Sequence, residues 1–197
     1  MPNAFWGGCP HGVGAMHMTH KHKEARMPKV TKDQLEQNFH LRRTMPERYL
    51  ALAEDFVRAD PGNPDGYWYR YHAFNSLGLH ELALADLDKV ISHEQLWILY
   101  ELRGNALRLL GRYEEALVDY NKAEEADPGG WSGGFGRLFR ADCNARLGHE
   151  DAALADCVNL PEEHWTPGLL GAPMGNKAEV IAEVRRLAAE ARGKRSP

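Results

Sequence analysis

The stretch Leu77-Gly78-x-x-Glu81-x-Ala83-Leu84-x-Asp86 returns as Leu110-Gly111-x-x-Glu114-x-Ala116-Leu117-x-Asp119. It returns again as Leu147-Gly148-x-x-Asp151-x-Ala153-Leu154-x-Asp156. The leading Leu-Gly pairs stand 33 and then 37 residues apart (110 minus 77, 147 minus 110). Ala59-Asp60-Pro61-Gly62 likewise recurs as Ala126-Asp127-Pro128-Gly129. A chain that repeats itself at this period makes one supersecondary unit several times and buries its apolar faces by stacking the copies.

The clearest copy lies between Leu96 and Gly130. Leu99, Leu102, Ala106, Leu109 and Leu110 recur at helical spacing, as do Ala116, Leu117, Tyr120 and Ala123 after them. Gly111 interrupts the two runs and can adopt the positive φ that ends a helix. Asp127-Pro128-Gly129 stops the second run, because proline cannot continue a helix and disfavours helical geometry in the residue before it. The spacing therefore predicts an antiparallel helix pair.

Gly104, Gly111, Tyr113, Ala116, Tyr120, Ala123 and Pro128 resemble the tetratricopeptide repeat motif residue for residue. The resemblance implies an all-α fold: an α-solenoid of antiparallel helix pairs with a C-terminal capping helix. It extends over three copies, 64–96, 97–130 and 134–160, with helices expected at about 64–77 and 80–92 in the first. Residues 29–63 form a divergent leading pair. In it, Thr31 and Gln34 make a capping box for a helix running to about Arg43, and Thr44-Met45-Pro46-Glu47 starts a second helix. Tyr49 and Phe56 stand where that family has small residues. Tyr71 does too, so its ring turns outward or its helices sit further apart. The remaining small residues set the closest crossings: Ala83 with Val90, Gly104 with Ala116 and Ala123, and Ala141 with Ala153.

Two stretches fall outside the repeats. Residues 161–175 hold Pro161, Pro167, Pro173 and several glycines and show no helical period. Residues 176–192 then carry a stripe of Val180, Val184, Leu187 and Ala191 behind an Asn176/Glu179 capping box. Such a helix cannot stand alone in water, so it is expected to cover the apolar flank of the third repeat.

In the tetratricopeptide family the first helix of each repeat lines an inner groove. The resemblance puts Asp65, Trp68, His72 and Asn75 there, then Ile98, Glu101, Asn105 and Arg108, then Phe135, Leu138, Asp142 and Arg146. Trp68, Ile98, Phe135 and Leu138 are more apolar than a solvated face requires. His72, Asn75, Asn105 and Arg108 could hydrogen-bond an extended peptide. The expected function is a non-catalytic interaction scaffold that takes a segment of another protein in this groove. A rival reading lets residues 161–175 fill the groove, so that the outer face binds partners. The Lys/Asn/Arg set with which some relatives grip a chaperone's terminal carboxylate is not matched, since Trp68, Ile98, Phe135 and Phe139 occupy several of its places.

Residues 1–28 show little apolar periodicity and are expected to be a disordered or loosely attached arm. Its Cys9, His11, His17, His20 and His22 offer thiolate and imidazole ligands, which gives a third reading, a zinc or nickel site. Met27-Pro28 repeats the opening Met1-Pro2 and admits a later natural start. No phosphate loop, paired-cysteine zinc motif or nucleophile elbow is present, so no enzyme is expected. His72, His80, His93 and His149 read as surface or cap residues, and Cys143 and Cys157 as core. The net charge of −4 argues against nucleic acid. No run approaches a membrane span. Three cysteines at unrelated spacings form no disulfide framework and point to a reducing, cytoplasmic setting.

Overall fold

The computed structural model describes residues 29–129, 135–158, 160 and 175–195. Its elements are helices: α1 (Lys32–Gln37), α2 (Leu41–Thr44), α3 (Pro46–Ala59), α4 (Pro64–Ser76), α5 (His80–Ile91), α6 (Trp97–Leu109), α7 (Tyr113–Ala126), α8 (Gly136–Arg146), α9 (Glu150–Cys157) and α10 (Lys177–Arg195). From α3 to α9 each helix packs on the next, and α10 closes the stack against α8 and α9. Helices α6 and α8, the first helices of two successive pairs, also touch directly.

The recurring Leu-Gly pair explains the joints. Gly78, Gly111 and Gly148 have φ of 72°, 76° and 78°, a region that side-chain-bearing residues enter only with strain. The residue after each glycine donates its N–H back into the finished helix: Leu79 to the Phe74 carbonyl, Arg112 to Leu107 and His149 to Asn144, all at 2.9 Å. Each glycine N–H bonds the carbonyl one residue further on, at Asn75, Arg108 and Ala145. This pairing satisfies carbonyls that a helix end otherwise leaves open. Three identical joints give three similar hairpins.

The leading region departs from expectation. The helix that begins at the Thr31/Gln34 capping box ends at Gln37 instead of running to Arg43. Asn38 Nδ2 donates to the Gln34 carbonyl at 2.7 Å and competes for it with the helical backbone. The chain turns over 38–40 and restarts as α2, so that Leu35 and Leu41 are both buried. Thr44 does not cap α3. It is the last residue of α2, and the N-cap is Met45, which makes no side-chain capping bond. Pro46 at the helix start and Glu47 in the first turn fit that end instead.

Four clusters of buried side chains run along the stack. The first joins Leu35, Leu41, Tyr49 and Phe56 to Tyr69 and Ala73. The second holds Tyr71, Phe74, Leu87, Val90 and Leu99. The third is built on Ala106, Leu107, Ala116 and Tyr120. In the last, Val180, Val184 and Leu187 of α10 lie on Leu138, Ala141, Ala145, Ala153 and Cys157, which is the covering role expected of that helix. Tyr71 turns inward and is 2% exposed, which rules out the outward ring and leaves wider helix spacing as the remaining alternative. The side chain nearest to Gly104 is Tyr120: a Cβ added there would lie 2.8 Å from the ring's Cε1. Tyr120 is itself fully buried and cannot swing clear. Gly104→Leu should therefore overpack this crossing and lower stability by about 1–3 kcal/mol, read as a fall in the urea midpoint.

An ion-pair ladder ties the repeats together. Arg70 grips Asp86 with Nε and Nη2 at 2.8 and 2.6 Å, and Arg103 grips Asp119 with the same two nitrogens at 2.7 Å each. Arg140 holds Asp156 in the same way, its Nη2 at 2.6 Å. The pairs sit 16 residues apart in every case and join the two helices of one repeat. Arg103 and Arg140 also reach back to the preceding repeat, to Asp88 at 2.7 Å and Glu124 at 2.6 Å. Bidentate guanidinium–carboxylate pairs fix orientation as well as distance, so they set how the two helices of a hairpin lie together, while the single bonds to Asp88 and Glu124 link neighbouring hairpins.

Candidate functional site

Helices α4, α6 and α8 present the expected groove positions at successive turns. Along α6, residues three and four apart share a face, which groups Ile98, Glu101, Asn105 and Arg108. Ile98 and Asn105 are half-buried, and Asn75 at the end of α4 is exposed. Asn105 Oδ1 accepts from the Tyr120 hydroxyl at 2.8 Å. That bond fixes the amide's orientation and leaves its NH2 as a donor.

Three of the expected polar residues form one linked unit, with Arg108 and Asp142 buried and Arg146 half-buried. Asp142 is fully buried and accepts from Arg108 Nη1 at 2.8 Å and from Arg146 Nε at 2.9 Å. Arg108 is 7% exposed, and its guanidinium also lies 4.4 Å from the centre of the Phe139 ring. Arg146 lies 5.7 Å over Tyr113. Arg108 and Asp142 are therefore committed to each other across α6 and α8, and their availability to a partner is smaller than the sequence implied. Leu138 is 2% exposed and belongs to the core beneath α10, not to an open face. Phe135, one turn before it, is 44% exposed and stacks at 6.1 Å on Phe139.

The α4 end is aromatic. His72 lies 4.4 Å from Trp68, 4.8 Å from Tyr71 and 4.9 Å from Phe39, measured between ring centres. Burial, helped by the charge of Arg42, pushes its imidazole down to about 4. The ring is neutral at pH 7, and its Nε2 is buried without a hydrogen-bond partner. His72 is thus a packing residue between α4 and the leading helices, neither a surface nor a cap residue. Trp68 is half-buried against the same group.

Glu101 is the other buried titratable group on this face. It is 8% exposed, its Oε2 has no hydrogen-bond partner, and burial raises its carboxyl. Cys143 and Cys157 are fully buried, and burial pushes their thiols up to about 12 and about 11. Neither carries thiolate at neutral pH, in keeping with a core role.

The ladder arginines Arg70, Arg103 and Arg140 were not singled out in the sequence, although the aspartates they hold end each recurring motif. The signal that could have found them is an arginine 16 residues before each of those aspartates. The proposed metal ligands Cys9, His11, His17, His20 and His22, and all of the proposed groove-filling stretch 161–175 except Gly175, lie outside the described residues. Among the described residues no cluster of His, Cys, Asp and Glu is arranged to hold a metal ion, and no helix is long and apolar enough to cross a membrane.

Residues 98–129 match the tetratricopeptide repeat family model. Among solved structures the chain is similar to YrrB, whose crystal structure is described as that of a TPR protein with an unusual peptide-binding site. The two share 19% identity at a TM-score of 0.55, over 69% of this chain and 67% of that one. At this identity the likeness speaks for the fold. No curated protein matches the chain.

Proposed function

Starting from a chain that folds as a tetratricopeptide-repeat array, we propose that its α4–α6–α8 face binds an extended segment of another protein. The observation that carries this reading is an apolar edge together with a fixed polar group. Phe135 stands exposed and Ile98 half-exposed, on the same helices that carry an Asn105 amide oriented by Tyr120. Apolar anchors supply affinity, and prepositioned donors read a peptide backbone without a large ordering cost. YrrB, described as having a peptide-binding site, shares the fold. Nothing in this arrangement provides a nucleophile next to a base, so a scaffold role suits it better than catalysis.

The test is selection of peptides from a displayed random library on the full-length chain, followed by titration of the winners. Ile98→Asp and Phe135→Ser should each weaken the selected peptides at least tenfold. Arg108→Glu is unsuitable, because a second carboxylate would face buried Asp142. Selected peptides indifferent to both substitutions would remove the groove from consideration.

A further inference from the structure

We propose that the segment bound on this face presents a basic side chain, lysine or arginine, to Glu101. This rests on the groove reading above and adds the partner's chemistry to it.

Glu101 sits at the middle of α6, one turn from Ile98 and one from Asn105, at the centre of the proposed contact surface. It is more than nine-tenths buried, and its Oε2 makes no hydrogen bond. A carboxylate held out of water without a partner is costly, and proteins ordinarily pair such groups. The other carboxylates of this region are paired: Asp86 with Arg70, Asp119 with Arg103, Asp142 with Arg108 and Arg146. Those arginines are thereby occupied.

The surroundings suit a cation. Burial raises the hydroxyl pKa of Tyr71, and the negative charge of Glu101 adds to that rise. Trp68 lies against Tyr71 with ring centres 5.8 Å apart. A charged hydrogen bond formed in this poorly hydrated position is stronger than one at the surface. The chain's own Pro/Gly stretch cannot provide the group, since residues 161–174 contain neither lysine nor arginine.

The experiment uses the library-selected peptides on the full-length chain. Each lysine or arginine of a peptide is replaced in turn by norleucine, and binding is titrated against wild type, Glu101→Gln and Glu101→Met. One basic position should lose at least tenfold against wild type and less than twofold against either variant, the mark of direct coupling. Urea melts of both variants confirm that they fold. Peptides that lose affinity on Ile98→Asp yet show no coupling to Glu101, or that carry no basic residue, overturn this inference and leave the groove reading intact. Peptides insensitive to Ile98→Asp overturn the groove reading itself. A carbodiimide cross-link from Glu101 to Lys21 or Lys23 in the unbound protein would identify the chain's own arm as the source of the cation and also overturn the proposal.

Discussion

Asp142→Ala should destabilise the array by about 3–5 kcal/mol, the range seen when one partner of a buried ion pair is removed. Asp142 is fully buried and is the shared acceptor for Arg108 and Arg146. Without it, two guanidinium groups face each other, and Arg108 has 7% of its surface available to water. Its Nε already lacks a partner, and the neutral Tyr120 hydroxyl beside it cannot offset the charge. The stacking of Arg108 on Phe139 survives the substitution but does nothing for the charge. Urea melts measure the loss. The control is Arg108→Met with Asp142→Leu, which removes both charges and keeps the volume. That double variant should recover most of the stability, because the cost arises from an unpaired buried charge and not from absence of the pair. A midpoint unchanged in the single variant would mean that water reaches this site. Asp142 joins α6 to α8, so the same melt reports on how strongly the second and third repeats hold together.

The second large effect is a fall in stability as pH drops from about 6.5 to about 4. His72 has its pKa pushed down to about 4 in the folded chain, first by burial and then by Arg42, against 6.5 for the free side chain. Above pH 6.5 the imidazole is neutral in both states, and below pH 4 it is protonated in both. Between them only the unfolded chain holds the proton, so unfolding takes up a proton and acid favours it. Integrated over this window the loss is about 3 kcal/mol. Other carboxylates titrate nearby: Glu115, Glu124 and Glu183 are held below their usual range by Arg112, Arg140 and Arg186. The informative quantity is therefore the difference between wild type and His72→Phe, with melts at pH 7.5 and 4.5. Wild type should lose more than the variant by about 2–3 kcal/mol. Equal losses would show that the imidazole is accessible to protons in the folded state. The elements expected to loosen are α1 and α2, because Phe39 and Arg42 are the groups that enclose His72 from that side.

Both effects are centred on residues whose place in the groove row the sequence implied and whose environment it did not. Register alone, with the resemblance, put Arg108, Asp142 and Arg146 at expected groove positions. That Asp142 is shared between the two arginines depends on α8 lying against α6 at the angle the Arg–Asp ladder permits. His72 likewise falls on the row, but a neighbour far back in sequence, Phe39, closes over it. Phe39 could do so only because the helix from Thr31 breaks at Asn38 and turns back, and no periodicity announced that break.

The hairpins themselves were determined locally. Gly78, Gly111 and Gly148 must take positive φ at the joints, Pro61 and Pro128 must end the helices before them, and apolar stripes at helical spacing must find a neighbour. Each is a property of a few adjacent residues, and each is written in the chain. Tertiary structure decided which face every large side chain took: Tyr71 inward, Leu138 beneath α10, Tyr120 against Gly104. It also decided which charges met. Those outcomes depend on residues 16, 34 or more positions apart coming within bonding distance, and a one-dimensional pattern contains the candidates for such pairs but not the geometry that selects among them.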